Sequence, residues 1–178
     1  MSAPRIPLNF FGMPFGLAGL AGVWLTAAHQ RHAPVAIANV LYVLASAVWL
    51  LVVGAYILGA RSHRSFRGDL LDPVAAPFAS LALITPMLLA AQGLAPYAPS
   101  AGKVLVDVFL VLTVLLGGWF TGQWIYAPLD LDKLHPGYFL PTVAGGLVAS
   151  AAASEVGQRR VGEIMLGLGL ICWLIMGP

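Results

Sequence analysis

The sequence predicts an all-α integral membrane protein, with about six transmembrane helices arranged as three repeated hairpins. Three observations predict it. Of the 178 residues, 60% are apolar and 9% charged, against roughly 25% charged in a typical soluble domain. A globular core of this length cannot hide so much apolar surface, so lipid must serve as much of its solvent. The apolar residues fall into six stretches separated by short polar clusters, and a pattern of prolines recurs along them at a nearly constant step.

The first stretch, Pro7–Ala28, follows Arg5. Asn9 and Pro14 interrupt it and it outruns the apolar region of a signal peptide, so it reads as a first span. Val35–Ala60, Val74–Ala95 and Val104–Ala127 each have the twenty or so residues needed to cross ~30 Å of hydrocarbon as a helix. Tyr138–Ser154 and Val161–Gly177 are the shortest, at 17 residues each. Trp24, Tyr56, Trp124, Tyr126 and Tyr138 sit near span ends, where amphipathic rings prefer the headgroup level. The connections His29–His32, Arg61–Asp72, Pro96–Lys103, Pro128–Gly137 and Glu155–Arg160 are short and polar. They give three hairpins, at about 7–60, 74–127 and 138–177, in one transmembrane domain covering 1–178. Basic residues favour an inside N-terminus by five to four, with the Arg61, Arg64 and Arg67 cluster the densest. A multi-pass protein of the plasma membrane or bacterial inner membrane is expected.

The repeat lies in the odd-numbered stretches. The first contains Pro7-Leu-Asn-Phe-Phe-Gly-Met-Pro14-Phe15, the third Pro73-Val-Ala-Ala-Pro77-Phe78, and the fifth Pro136-Gly-Tyr-Phe-Leu-Pro141. Each opens on one proline and carries a second one or two turns later beside aromatics. The second prolines are 63 and 64 residues apart, the length of one hairpin with its loops. The same stretches are rich in small residues four apart: Gly12/Gly16, Ala18/Gly22, Ala75/Ala79 and Gly145/Ala149/Ala153. That spacing lets helix backbones approach closely in lipid. The even stretches are bulkier, as in Leu41–Ile57 and Val104–Phe120, so the odd helices are expected inside and the even ones outside.

An interior proline removes one backbone hydrogen bond and clashes with the preceding turn. In a membrane the freed carbonyl needs protein or water as its partner. Bends at Pro14, Pro77 and Pro141, with a deeper one at Pro86, therefore fit odd helices gathered around a shared passage; for any single proline a packing kink is the plainer reading. Pro7–Ala28, Val74–Ala95 and Tyr138–Ser154 contain no Asp, Glu, Lys, Arg or His. Proton-coupled carriers usually place such a group at membrane depth, so passive conduction is favoured. The candidate pore-lining or close-packing residues are Gly12, Gly16, Ser80, Thr85, Thr142, Gly145 and Ala149, with the Ser150 hydroxyl beside them. A path of small residues, hydroxyls and backbone would select by size and desolvation cost.

The remaining polar residues carry little chemistry. Lys103 and Asp107, one turn apart, are expected to pair locally or to be solvated at the interface. His29 and His32 lack a neighbouring carboxylate or cysteine, so no metal site is assigned. His135, before Pro136, is placed to cap the fifth helix. Cys172 lies in an apolar run and reads as an inert thiol. No catalytic motif and no cofactor-binding loop is present, and a net charge of +2 spread among loops gives no footprint for nucleic acid.

Three segments resemble a known family: Asn-Phe-Phe-Gly-Met-Pro-Phe-Gly-Leu-Ala-Gly-Leu, Asp-Pro-Val-Ala-Ala-Pro-Phe-Ala-Ser, and above all His-Pro-Gly-Tyr-Phe-Leu-Pro-Thr-Val-Ala-Gly-Gly-Leu-Val. Over about Pro7 to Trp173 the chain is similar to the tellurite-resistance/dicarboxylate transporter family, which includes the plant slow anion channels. The resemblance implies ten helices in five hairpins, with proline-kinked odd helices around a central pore. It implies trimers with one pore per subunit, passing chloride, nitrate, sulfite or dicarboxylates, with Pro14, Pro77 and Pro141 as the kinks of the first, third and fifth helices. Five hairpins would need about 320 residues; here there are three, and the phenylalanine that occludes the family's pore on its ninth helix has no counterpart. The chain is read either as the N-terminal piece of a longer protein or as a shortened homologue that closes its ring by oligomerising. The expected function is passive transport of small anions by a non-enzyme, with a non-conducting assembly or sensor subunit as the alternative.

Overall fold

The structure, a computed structural model, describes residues 6–30, 33–63, 66–126 and 135–177. Helices and tight helical turns make up its regular structure, and no strand occurs among the described residues. A 3-10 turn, Leu8–Phe11, leads into α1, Gly12–His29. After it come α2, Val35–His63, and the short α3, Phe66–Leu71. The third apolar stretch is a composite: a 3-10 turn at Ala76–Ser80, α4 at Leu81–Leu88, and a π-helical segment at Leu89–Leu94. Then α5 runs over Pro99–Tyr126, starting on a proline whose missing N–H is no loss at a first helical position. A 3-10 turn at Pro136–Tyr138 and a π segment at Leu140–Ala144 precede α6, Gly145–Glu155, and α7, Arg159–Met176.

Four stretches are helical, long and apolar enough to cross a membrane: Leu8–His29, Val35–Gly59, Ala76–Leu94 and Pro99–Tyr126. Helix α7 has 18 residues but opens with Arg159, Arg160 and Glu163, and Arg159 and Glu163 form an exposed i,i+4 pair at 2.8 Å. One expectation of the sequence is corrected here. The Arg61–Asp72 connection is largely helical, because α2 runs on to His63 and α3 follows. Much of Pro128–Gly137 lies outside the described residues.

Each helix rests mainly on its chain neighbour: α1 on α2, α4 and its π extension on α5, α6 on α7. The Trp24 indole closes the first of these pairs by donating to the Pro34 carbonyl at 3.1 Å. Between α6 and α7 the turn depends on Gly157, whose φ of 79° suits only a residue without Cβ. The Gln158 N–H then returns to the Ala153 carbonyl at 2.8 Å, which satisfies an orphan acceptor at the helix end. The backbones of α6 and α7 touch, since a Cβ on Gly146 would lie 2.8 Å from Gly169 Cα. Small residues permit that approach.

Burial does not simply alternate along the chain. Over its most apolar 18 residues the third span has 56% of its residues buried, against 22% in each of the first, second and fourth. The second and fourth stretches, α2 and α5, are as exposed as the first. The Ala76–Leu94 span is enclosed by other helices, whereas one flank of α1 meets no neighbour among the described residues.

Candidate functional site

The site begins with the proline-led openings of the three odd stretches. The turn Leu8–Phe11 packs on Ala76–Ser80, which in turn packs on Leu140–Ala144. Their prolines lie inside: Pro14, Pro77, Pro86 and Pro141 are all buried. Aromatic side chains meet at this end. His135 stacks on Phe78 with ring centroids 6.0 Å apart, and Tyr138 meets Trp124 at 5.3 Å. His135 caps the fifth stretch as its position suggests: its Nδ1 accepts from the Gly137 N–H at 3.0 Å. A Cβ at residue 137 would fall 2.4 Å from the imidazole Cε1, so the His-Pro-Gly order is a requirement of this cap. Nearby, the Tyr56 hydroxyl donates to the buried Asp69 carboxylate at 2.9 Å.

Pro86 shows what a membrane proline demands. It cannot donate to the carbonyl four residues earlier, that of Ala82. The indole N–H of Trp49, from α2, fills that place at 3.0 Å. Downstream the helix loosens into the π segment Leu89–Leu94, and Pro141 sits within the second π segment, Leu140–Ala144. Segments of this kind are frequent at functional sites.

The candidate lining residues divide into two groups. Ser80 and Thr85 are buried, and their hydroxyls donate to the Pro77 and Leu81 carbonyls of their own helix, at 2.7 and 2.6 Å. The buried Thr142 hydroxyl reaches the Met176 sulfur at 3.5 Å. Gly145 takes the Thr113 methyl, which a Cβ would meet at 3.0 Å, and Ala149 is fully buried. Ser80, Thr85, Gly145 and Ala149 are enclosed by neighbouring side chains and backbone, whereas Thr142 lies on the wall of a cavity of about 420 Å³ between the fourth span, the Leu140–Ala144 segment and α7. Gly12 and Gly16 differ: only one side-chain atom, at 4.0 Å, approaches a Cβ on Gly12, and none comes within 4 Å of one on Gly16. They look out on the uncovered flank of α1.

Two polar pairs were not expected. Asp107 accepts from the Gln158 amide at 2.6 Å in place of a local pair with Lys103. The second pair joins α2 to the end of the third span. Tyr42 of α2 donates its hydroxyl proton to Gln92 Oε1 at 2.9 Å, and Gln92 belongs to the π segment. Two glycines seat the pair: a Cβ on Gly22 would lie 2.9 Å from Gln92 Oε1, and one on Gly93 would lie 3.3 Å from the Tyr42 ring. The signal in the sequence was a lone amide beside a glycine inside an apolar run.

Comparison with known proteins gives two matches. The family model described as voltage-dependent anion channel matches residues 5–178. The tellurite resistance protein TehA homolog of Haemophilus influenzae is 28% identical over 175 residues, which cover 97% of this chain and 53% of that protein. The chain thus spans about half the length of the curated relative it matches.

Proposed function

The chain belongs to the voltage-dependent anion channel family, and from that premise we propose that it forms part or all of a passive pathway for small anions. It is a multi-pass membrane protein of a transport family. In the proposed arrangement the three openings each lead a hairpin, so that α6 with its leading π segment and α7 also cross the bilayer, making six spans. Other copies or further hairpins would complete the ring, as a trimer in a plasma or bacterial inner membrane. The bends at Pro14, Pro77, Pro86 and Pro141 would set the width of the passage, and Gly12 and Gly16 would face it.

The observation that supports this best is the packing of the three proline-led openings on one another at one end of the molecule. A family whose members conduct anions needs irregular helical backbone beside a passage, and such backbone is tolerated in a membrane only where protein or water satisfies it. The test is chloride and nitrate flux into liposomes, with the protein in its longest natural form. Pro14→Ala, Pro77→Ala and Pro141→Ala are expected to insert normally, because insertion follows overall hydropathy, and to pass less anion than the parent. Unchanged flux in all three would remove the bends from the mechanism. A parent that passes no anion would replace the channel reading with that of a non-conducting assembly subunit.

A further inference from the structure

The fourth span carries glycines where no neighbour fills the space. A Cβ on Gly118 or on Gly122 would meet nothing within 4 Å. Both lie on the wall of the cavity of about 420 Å³ between α5, the Leu140–Ala144 segment and α7. On α5 that wall follows one face of the helix, from Thr113 through Gly117 and Thr121 to Ile125. Those twelve steps make a groove about 18 Å long at the helical rise. Thr113 is the fifteenth of the 28 residues of α5, so the groove starts near the middle of the bilayer. It ends at an interface, where the exposed Tyr126 follows Ile125. Its length is close to the depth of one leaflet, half of a ~30 Å hydrocarbon core.

The chemistry of the wall excludes most occupants. Among the described residues none on it is charged. Its three hydroxyls already donate: Thr113 to the Phe109 carbonyl at 2.7 Å, Thr121 to the Gly117 carbonyl at 2.9 Å, and Thr142 to the Met176 sulfur at 3.5 Å. An anion would find there only the weak S–H donor of Cys172. Val114, Gly118, Ile125 and Leu168 are exposed along the rim, so the groove opens sideways to whatever surrounds the span. For a span of this length and apolarity that surrounding is hydrocarbon.

Size then separates the apolar occupants. Spread over 18 Å, 420 Å³ is a channel roughly 5 Å across, wide enough for a methylene chain at carbon contacts of about 4 Å. A helix of the same length and ~10 Å diameter fills roughly 1,400 Å³, far more than the groove holds. The strip covered is on the order of 100 Å², against ~800 Å² per partner in a stable protein interface. The groove alone would not hold a second copy.

We propose that this groove binds one acyl chain of a phospholipid, lying along α5 with its methyl end near Thr113 and its headgroup end near Ile125. An unfilled groove leaves its wall atoms without partners on one side, and a fitted chain restores those contacts. Gly118 and Gly122 make the room, and the chain covers one side of Pro141 and Thr142. The proposal rests on the bilayer position of α5 and is independent of whether the protein conducts.

The experiment labels the groove from the lipid side, with the longest natural form of the protein in nanodiscs. Phosphatidylcholine carries a photoactivatable diazirine midway along one chain, and adducts are mapped by peptide mass spectrometry. The reference is Leu50 and Leu58 of α2, exposed residues 64 positions before Val114 and Gly122 and so at matching depth. Adducts over residues 114–125 and 168–172 are expected about tenfold above the reference, as a modest gain in dispersion contact would give. Gly118→Leu combined with Gly122→Leu fills the groove without striking the protein and should return labelling to the reference level. Parent adducts no denser in the groove than on α2 overturn the proposal, and that comparison needs no variant to fold. Enrichment that survives the filled groove places the lipid elsewhere on α5 and equally overturns it. A second copy seated there would instead join Gly118→Cys proteins through a disulfide and leave the groove unlabelled, which also ends the proposal.

Discussion

The first and third spans open alike and continue differently. Each begins with a 3-10 turn beside a proline, Leu8–Phe11 before Pro14 and Ala76–Ser80 around Pro77. The first then runs as 18 residues of uninterrupted α-helix, whereas the third breaks from 3-10 to α to π within 19 residues. The third is also the buried one, 56% against 22%. The two facts belong together. A broken helix frees backbone groups that lipid cannot satisfy, so irregularity persists where neighbours supply partners, as Trp49 does for Ala82. The first span has fewer neighbours and keeps its hydrogen bonds to itself. Irregular backbone in this molecule is a property of the packing around a helix as much as of its prolines.

The contrast can be broken hardest where backbones already touch. Gly146→Val would thrust a side chain into the Gly169 backbone, 2.8 Å from the added Cβ, and backbone cannot swing aside. Overpacking of this kind costs up to about 3 kcal/mol. The midpoint of thermal unfolding in detergent should fall sharply, and a Gly146→Val protein as stable as the parent would mean that α6 and α7 do not meet at these glycines. Trp49→Phe should cost less, about 2 kcal/mol, the price of leaving the Ala82 carbonyl buried without its donor. The same unfolding measurement applies, with Trp49→Phe combined with Pro86→Ala as its partner experiment. Alanine at 86 restores an N–H for that carbonyl, so the double variant should recover part of the loss. No recovery would show that the indole matters for packing alone.

Much of this arrangement was legible in the chain, and the illegible part has a common cause. Apolar runs mark the four longest spans because their signal is local hydropathy. The cap at His135 could be anticipated from its place before Pro136, since a cap reaches only two residues. The π segments could not, because hydropathy carries no record of helical pitch. Trp49 and Ala82 are 33 residues apart, Tyr42 and Gln92 are 50, and Asp107 and Gln158 are 51. Pairings at such separations are set by the fold, and the last of them displaced the neighbour pair that Lys103 and Asp107 suggested. The lining residues show the same limit. Ser80 and Thr85 look like pore hydroxyls in the sequence, yet a hydroxyl one turn from its own helix carbonyl needs no other partner.

The smallest expected effect on stability tests the exposed side of the comparison. Nothing lies within 4 Å of a Cβ placed on Gly16, and the residue is exposed on α1. Gly16→Leu should therefore change unfolding stability by less than about 0.5 kcal/mol, as surface substitutions away from special features do. What that flank faces is a separate matter, and flux decides it. Facing lipid, a leucine is one more apolar side chain among many and anion flux stays at the parental level. Facing the passage, the same leucine adds four heavy atoms to the wall, and chloride and nitrate flux should fall while stability holds. A fall in both would reveal a helix packed against Gly16 in the assembled protein. Parental values in both would turn α1 toward the bilayer and leave the third and fifth stretches to carry the anion path.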